Sequence, residues 1–158
     1  MGAIGQRVAE IAKAFGCRVI YYSTSGKNNN QPYEQVSFET LLKESDVISL
    51  HAPLNVATEG LMDAKAFRMM KKTAFLVNVA RGAMVVEKDL AEALKNEELK
   101  GAALDVLTKE PMDFSNPLYE IKDSRKLVIT PHMAWAPVET RERLMQCVYK
   151  NIQDYMCK

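Results

Sequence analysis

Short apolar runs rich in β-branched residues alternate with amphipathic stretches along this chain, and the alternation constrains the fold more than any other feature. Strands so apolar, with helices between them, favour a parallel sheet covered on both sides. We therefore predict one α/β domain over residues 1–158, built on a doubly wound parallel sheet. The predicted strands cover residues 18–22, 46–50, 74–79, 102–106 and 127–130, and the predicted helices cover residues 3–16, 38–44, 64–70, 87–96 and 138–156.

The first and last helices carry apolar residues at helical spacing, which predicts one buried face on each. The three cysteines have no C-x-x-C motif and no metal-ligand spacing, so we expect reduced thiols and no metal, with Cys17 and Cys147 in the core. Glycine, proline and asparagines predict a loop over residues 23–35. The predicted buried faces consist of Ile4, Val8, Ile11 and Phe15 in the first helix and of Val138, Met145, Val148, Ile152 and Tyr155 in the last.

Composition excludes several functional classes. The 158 residues carry 21 basic and 20 acidic side chains, which leaves no charge excess typical of proteins that bind nucleic acid or anionic membranes. No stretch approaches the ~18 consecutive apolar residues of a membrane span, and the first residues lack the pattern of a secretion signal. We therefore expect a cytoplasmic protein that binds neither nucleic acid nor a membrane.

Two glycines, Gly2 and Gly5, stand three residues apart where the first helix begins. In a dinucleotide-binding G-x-G-x-x-G turn, glycines bring the backbone close to a pyrophosphate at the helix N-terminus. Gly2 and Gly5 fit the second and third glycines of such a turn. Two glycines at this spacing are also common in helix starts, and this signal alone favours an ordinary N-terminus.

Further motifs follow in order along the chain. N-V-A-R-G at 78–82 follows one predicted strand, G-A-A-L-D-V at 101–106 contains the next, and T-P-H-M-A-W-A at 130–136 closes the last. Together with H-A-P-L at 51–54 and Thr58, these motifs resemble the D-2-hydroxyacid dehydrogenase family over essentially the whole chain, and most closely its glycerate dehydrogenase (hydroxypyruvate reductase) branch. The resemblance implies a Rossmann-like NAD-binding domain, a small 2-hydroxy or 2-keto acid as substrate, and a homodimer at full length.

Matched to the family plan, the chain begins inside the dinucleotide-binding turn. The first strand of the sheet and most of the substrate domain would then lie outside it, and Met1 would be an internal methionine. In a doubly wound sheet ordered 3-2-1-4-5-6 the first strand is central, so we expect the second and fourth strands to lack their shared neighbour. We expect such a piece, on its own, to bind the cofactor weakly and to catalyse little.

Interconversion of a 2-hydroxy acid and a 2-keto acid requires a cation for the carboxylate and a group that moves the hydroxyl proton. The resemblance gives the first role to Arg81, whose guanidinium can hold a carboxylate at two points. It gives the acid/base role to His132, with Glu110 accepting the second ring N–H. Without the family pattern, Arg81 fits a surface arginine equally well, His132 an ordinary strand-end histidine, and Glu110 a solvated loop carboxylate.

The resemblance also implies a set of cofactor contacts. Asp105 is expected to contact the nicotinamide carboxamide, although an aspartate that holds a turn would suit the same position. Trp135 is expected to wall the substrate pocket, against simple packing in the core, and His51 only to line the cleft. The other predicted cofactor contacts are Gly2, Ala3, Ile4, Gly5, Ser23, Pro53, Thr58, Val79, Ala80, Arg81 and His132.

Two positions depart from the family pattern. Ser23 stands where NAD users typically carry an acidic residue for the ribose, and Lys27 offers a cation for a 2′-phosphate, but no arginine follows. We therefore expect NAD, with NADP as the alternative. Val86 replaces a polar helix cap, which should cost about 1 kcal/mol of helix stability. Two other functions stay open: a dinucleotide-binding interaction protein similar to the C-terminal-binding-protein corepressors, and an inert fragment.

Overall fold

A computed structural model describes residues 1–27 and 31–157. Each predicted helix and strand is present, with ends that differ by a few residues, and a short strand lies inside the predicted loop, whose residues 28–30 fall outside the described ones. The strands are β1 (Ile20–Tyr21), β2 (Glu34–Gln35), β3 (Val47–Leu50), β4 (Phe75–Asn78), β5 (Gly101–Leu104) and β6 (Leu127–Ile129). The helices are α1 (Ala3–Ala14), α2 (Phe38–Glu44), α3 (Ala64–Met69), α4 (Glu87–Lys95) and α5 (Val138–Met156), with 3₁₀ turns at Gly82–Met84 and Pro117–Glu120.

The sheet is parallel and has two separate parts. β3, β4, β5 and β6 pair in that order, while β1 pairs with β2. No strand of the described residues joins β1 to β3, as expected for a doubly wound sheet without its central strand. The helices begin where local chemistry allows. Ser37 and Asp63 cap α2 and α3 by accepting backbone N–H groups, whereas Val86 gives α4 no capping bond, as predicted.

One face of the four-stranded sheet carries the core. Alternate strand residues point to the same face, so Ile48, Leu76 and Ala102, which are neighbours in register, are buried together. Helices α2 to α4 supply the opposing layer. The most deeply buried residues of that layer are Leu42, Phe67, Leu90 and Leu94.

The opposite face of the sheet is only partly covered. Val47, Phe75 and Val128 point to it and are 59%, 42% and 48% exposed. The expectation of a sheet buried on both sides is therefore met on one face only. The apolar faces predicted for α1 and α5 are also wrong as buried surfaces, because no part of the described chain packs against most of them. The exposed residues are Ile4, Val8, Ile11, Phe15, Val138, Met145, Val148, Ile152 and Tyr155.

The cysteine prediction is wrong in the same way. Cys17 and Cys147 are exposed rather than in the core, and Cys157 is exposed as well. Cys17 follows the end of α1, and Cys147 lies on α5, which has no buried residue. No helix among the described residues has the length and apolar character needed to cross a membrane.

The register of the sheet determines where the motifs meet. Leu50, Asn78, Leu104 and Ile129 lie side by side at the carboxyl ends of β3 to β6. The segments that follow these four residues therefore emerge at one edge of the sheet. In open α/β sheets this edge is the usual place for ligands.

Candidate active site

The structure brings His132 and Glu110 into direct contact. His132 follows β6 and Glu110 follows β5, and the distance from Nδ1 of the imidazole to Oε2 of the carboxylate is 2.7 Å. Both side chains are partly open to solvent, with exposed fractions of 42% for His132 and 36% for Glu110. The predicted contact is confirmed, while the acid/base role stays a prediction.

Glu110 is held in its ionised form. Its Oε1 accepts the backbone N–H of Leu107 at 2.8 Å. This bond and then the bond to His132 hold the pKa of the Glu110 carboxyl below its ordinary value, against the opposing effect of burial. An ionised carboxylate only accepts hydrogen bonds, so Nδ1 of His132 carries a proton and the second ring nitrogen, Nε2, is left for another partner.

Asp105 fixes the turn that carries His132. Its Oδ1 accepts the Thr130 hydroxyl at 2.5 Å and the Met133 N–H at 2.9 Å, and its Oδ2 accepts the Ala134 N–H at 2.8 Å. Burial acts to raise the pKa of the Asp105 carboxyl, but these three bonds outweigh it and lower the pKa below its ordinary value. The structure thus supports the turn-holding alternative, and contact with a nicotinamide stays a prediction.

These bonds also stabilise an uncommon backbone conformation. His132 has a φ of +51°, in the left-handed region that residues with a side chain seldom adopt. Asp105 bonds to residues on both sides of His132 and so compensates for that cost. The left-handed turn directs the imidazole towards Glu110.

Arg81 lies at the same edge, three residues after the end of β4. Asn78, a fully buried residue that the sequence analysis did not single out, donates from Nδ2 to the Arg81 carbonyl at 3.0 Å and accepts the Ala80 N–H at 3.0 Å. A polar residue that ends an apolar strand before a turn is the signal that could have found it. Throughout residues 1–27 and 31–157, the Arg81 guanidinium forms no ion pair, and its Nη1 donates to the Ala80 carbonyl at 2.7 Å.

Gly82 joins this turn to the one that carries Glu110. A Cβ added to Gly82 would lie 1.9 Å from the Leu107 carbonyl carbon and 2.3 Å from the Thr108 nitrogen. Only glycine allows this approach of two backbones. Arg81 is the sequence neighbour of Gly82 and is therefore held close to Leu107, whose N–H binds Glu110.

The start of α1 fits the pyrophosphate of a dinucleotide. Its first turn has no acidic residue and no capping side chain, so the N–H groups of Ala3, Ile4 and Gly5 are directed towards any anion placed there. Gly2 has open space around its α-carbon. A Cβ on Gly5 would come within 3.0 Å of the Met1 side chain and 3.7 Å of His51, so glycine keeps this corner open.

The loop after β3 is partly polar and is held by hydrogen bonds within it. Ser49 and His51 share a 2.8 Å hydrogen bond, and burial lowers the pKa of His51, which favours the neutral ring. Thr58 is fully buried, and its hydroxyl donates to the Pro53 carbonyl at 2.7 Å and accepts the Asn55 N–H at 2.8 Å. Thr58 therefore shapes the loop from within, and its predicted contact with the cofactor stays a prediction. The predicted contact of Pro53 with the cofactor stays a prediction.

The remaining predicted residues lie on segments that follow strands. Ser23 follows β1 and donates to the Lys27 carbonyl at 2.9 Å, so its hydroxyl is part of a local turn. Val79 and Ala80 lie between β4 and Arg81, and Trp135 follows the His132 turn with 53% of its surface exposed. Their contacts with cofactor and substrate stay predictions. In the described part of the chain, no group of three or more potential metal ligands is present.

Comparison with known proteins identifies the family. The family model described as D-isomer specific 2-hydroxyacid dehydrogenase, NAD binding domain, matches residues 1–134. The chain belongs to this family. A hydroxypyruvate reductase of Blautia hydrogenotrophica is 39% identical over 158 residues, which cover 98% of this chain and 48% of that protein. Other relatives of this 2-hydroxyacid dehydrogenase domain are named glyoxylate reductase.

Solved structures agree on the fold and on the type of cofactor. The NAD complex of a D-isomer specific 2-hydroxyacid dehydrogenase from Lactobacillus delbrueckii ssp. bulgaricus has a TM-score of 0.82 and 34% identity, covering 98% of this chain and 51% of that one. An acyclic imino acid reductase in complex with NADPH and D-Arg has a TM-score of 0.87 and 40% identity, covering 99% and 48%. The fold is thus the Rossmann-like NAD-binding domain, and the chain spans about half the length of the relatives it matches.

Proposed function

We propose that the parent protein, meaning the longest natural polypeptide that contains these 158 residues, is an NAD(P)-dependent D-2-hydroxyacid dehydrogenase that interconverts glycerate and hydroxypyruvate. The observation that carries the proposal is the 2.7 Å contact of Glu110 with His132, at the sheet edge where Arg81 also lies. Reduction of a 2-keto acid requires a proton donor, a group that stabilises the charged donor and a cation for the carboxylate. These roles suit His132, Glu110 and Arg81, whose guanidinium forms no ion pair within residues 1–27 and 31–157. The domain family supports the reaction type, and the hydroxypyruvate reductase relative supports the choice of substrate.

The residues of the chain divide the work of substrate reduction as follows. Arg81 binds the carboxylate and polarises the adjacent carbonyl. His132, in its charged form, gives the Nε2 proton to the carbonyl oxygen as that oxygen becomes a hydroxyl, and Glu110 stabilises the charge of the ring through Nδ1. In the oxidation of the hydroxy acid, the same nitrogen takes the proton back. The nicotinamide cofactor, when bound, supplies or accepts the hydride.

We further propose that the first turn of α1 binds the cofactor pyrophosphate. Its N–H groups carry the partial positive charge of a helix start, which favours the phosphates, and Gly2 and Gly5 leave space for them. The Asp105 turn would place the His132 segment beside the nicotinamide. NAD is the expected cofactor. NADP is the alternative, because Ser23 is uncharged and would not repel a 2′-phosphate.

Steady-state turnover of the parent protein tests the proposal. NADH or NADPH oxidation is followed with hydroxypyruvate, glyoxylate and pyruvate, and we expect the highest kcat/KM with hydroxypyruvate. Preference for glyoxylate would refute the choice of substrate but keep the reaction type. Cofactor binding with no turnover on any short 2-keto acid would favour the corepressor-like alternative. Light scattering and cell fractionation test the accompanying expectations of a dimer and of a cytoplasmic location.

A further inference from the structure

Glu87, a carboxylate outside the acid/base pair, uses both of its oxygens to bind the segment that carries Glu110. Glu87 is the first residue of α4 and is half-buried. Its Oε1 accepts the backbone N–H of Thr108 at 2.7 Å, and its Oε2 accepts the side-chain amide of Asn116 at 2.9 Å. The mechanism above gives this residue no role.

Glu87 holds both ends of one loop. Thr108 lies two residues before Glu110, and Asn116 lies six residues after it. Asn116 in turn accepts the Leu118 N–H at 2.9 Å and caps the 3₁₀ turn at Pro117–Glu120. The Glu87 carboxylate therefore holds the loop that contains Glu110 at two points, Thr108 and Asn116.

The loop has a second point of contact on the Arg81 side. Gly82 packs directly on the Leu107 and Thr108 backbones. Loss of the Glu87 bond to Thr108 would remove one of the contacts that hold this backbone. Because the Leu107 N–H binds Glu110 at 2.8 Å, movement here would change the position of the carboxylate that faces His132.

We propose that Glu87 is a positioning residue for the Glu110–His132 pair, acting through the Thr108 and Asn116 bonds. The proposal's predicted effects on turnover rest on the proposed function, whereas its predicted effect on the contact between Glu110 and His132 does not. It also explains why a carboxylate occupies the first position of a helix that lacks a capping bond from Val86. The charge suits the helix start, and both of its oxygens are used outside α4.

The test compares Glu87→Gln with Asp89→Asn in the parent protein. Asp89 also lies in the first turn of α4, and its Oδ2 accepts the Ala64 N–H at 2.9 Å, which ties α4 to α3 instead of to the Glu110 loop. Both variants remove one negative charge from the same helix start. Only Glu87→Gln places an amide where two donors, Thr108 and Asn116, each require an acceptor.

With hydroxypyruvate, we expect Glu87→Gln to lower kcat/KM about 10-fold through kcat, since a small displacement of a catalytic group has such an effect. The alkaline limb of the pH profile for reduction should move to lower pH, because a displaced Glu110 stabilises the charged imidazole less. Asp89→Asn should leave both quantities within about 2-fold of wild type. Equal effects of the two variants, or an unmoved profile with Glu87→Gln, would overturn the proposal.

A double-mutant cycle with Glu110→Gln separates positioning from general destabilisation. If Glu87 acts through Glu110, adding Glu87→Gln to Glu110→Gln should change kcat by less than about 2-fold. A full 10-fold further loss would overturn the proposal. Should Glu87→Gln fail to fold, Asn116→Asp replaces it. That variant keeps an acceptor for Leu118 and sets a second carboxylate against Glu87.

A readout without turnover keeps the failure of this proposal distinct from failure of the proposed function. The ring N–H proton of His132 on Nδ1, assigned by its loss in His132→Gln, should resonate far downfield in the NMR spectrum while Glu110 is in contact. We expect Glu87→Gln to shift or broaden it and Asp89→Asn to leave it in place. An unchanged signal in Glu87→Gln would overturn the positioning role even if no 2-keto acid is reduced.

Discussion

Gly82→Ala should be among the most damaging single-methyl changes in this domain. The added Cβ would lie 1.9 Å from the Leu107 carbonyl carbon and 2.1 Å from its oxygen, where van der Waals contact needs about 3.4 Å or more. Relief requires a backbone displacement of more than about 1 Å. Leu107 and Thr108 are also held by their N–H bonds to Glu110 and Glu87, so such movement breaks further bonds.

Overpacking by a methyl group typically costs about 1–3 kcal/mol, and a clash with anchored backbone belongs at the upper end. At about 2–4 °C per kcal/mol for a domain of this size, we expect the melting temperature of the parent protein's nucleotide domain to fall by about 6–12 °C. Calorimetry measures it. Gly2→Ala is the control, since nothing lies within 4 Å of its Cβ position and its φ is −85°, so its change should stay below about 1 kcal/mol. A Gly82→Ala variant that melts within about 2 °C of wild type would refute the reasoning.

Three further predictions concern the site. Asp105→Asn sets an amide against the Ala134 N–H and should lower the free energy of unfolding, measured by urea denaturation, by about 1–3 kcal/mol. Because folding lowers the pKa of Asp105, this difference should be complete above the pKa of the unfolded state and should shrink as the pH falls through the pKa of the folded state. A difference that does not depend on pH would contradict this prediction. Ser23→Asp should raise the ratio of kcat/KM with NADH to that with NADPH at least about 10-fold through repulsion of a 2′-phosphate, and an unchanged ratio would place the ribose elsewhere. Arg81→Gln should lower kcat/KM for the 2-keto acid about 10–100-fold, and an unchanged value would remove Arg81 from substrate binding.

The periodic features of this fold could be predicted from its sequence. Runs such as residues 46–50 and 74–79 are apolar enough to be strands, and register then brings their ends to one edge. The meeting of Glu110 with His132 followed from that arrangement once the family motifs had been found. In physical terms, strands and amphipathic helices are local patterns, and a parallel sheet places their carboxyl ends together.

The spacing of apolar residues does not show what packs against each apolar face. The spacing of Val8 and Ile11 correctly predicts an amphipathic helix, yet these residues are 38% and 50% exposed because the described chain does not cover them. Cys17 shows the same limit, since apolar character alone does not place a residue in a core.

Bonds between distant residues were also invisible in the sequence. Glu87 binds Thr108 across 21 positions, and no repeat or motif marks that pair. The approach of Gly82 to Leu107 likewise depends on two turns that only the folded sheet brings together. The bonds of the Thr58 hydroxyl within its own loop were equally hidden, because a sequence gives no sign of whether a hydroxyl faces a cleft or its own loop.

The most direct test of the account is the turnover of His132→Ala in the parent protein, measured with hydroxypyruvate and NADH beside the wild type. Removal of a general acid should lower kcat about 10²–10⁴-fold. The variant should stay folded, because the Asp105 bonds that hold the turn come from Thr130, Met133 and Ala134 and not from the imidazole. A folded His132→Ala protein that keeps its turnover within about 10-fold of wild type would contradict the assignment of His132 as the proton donor.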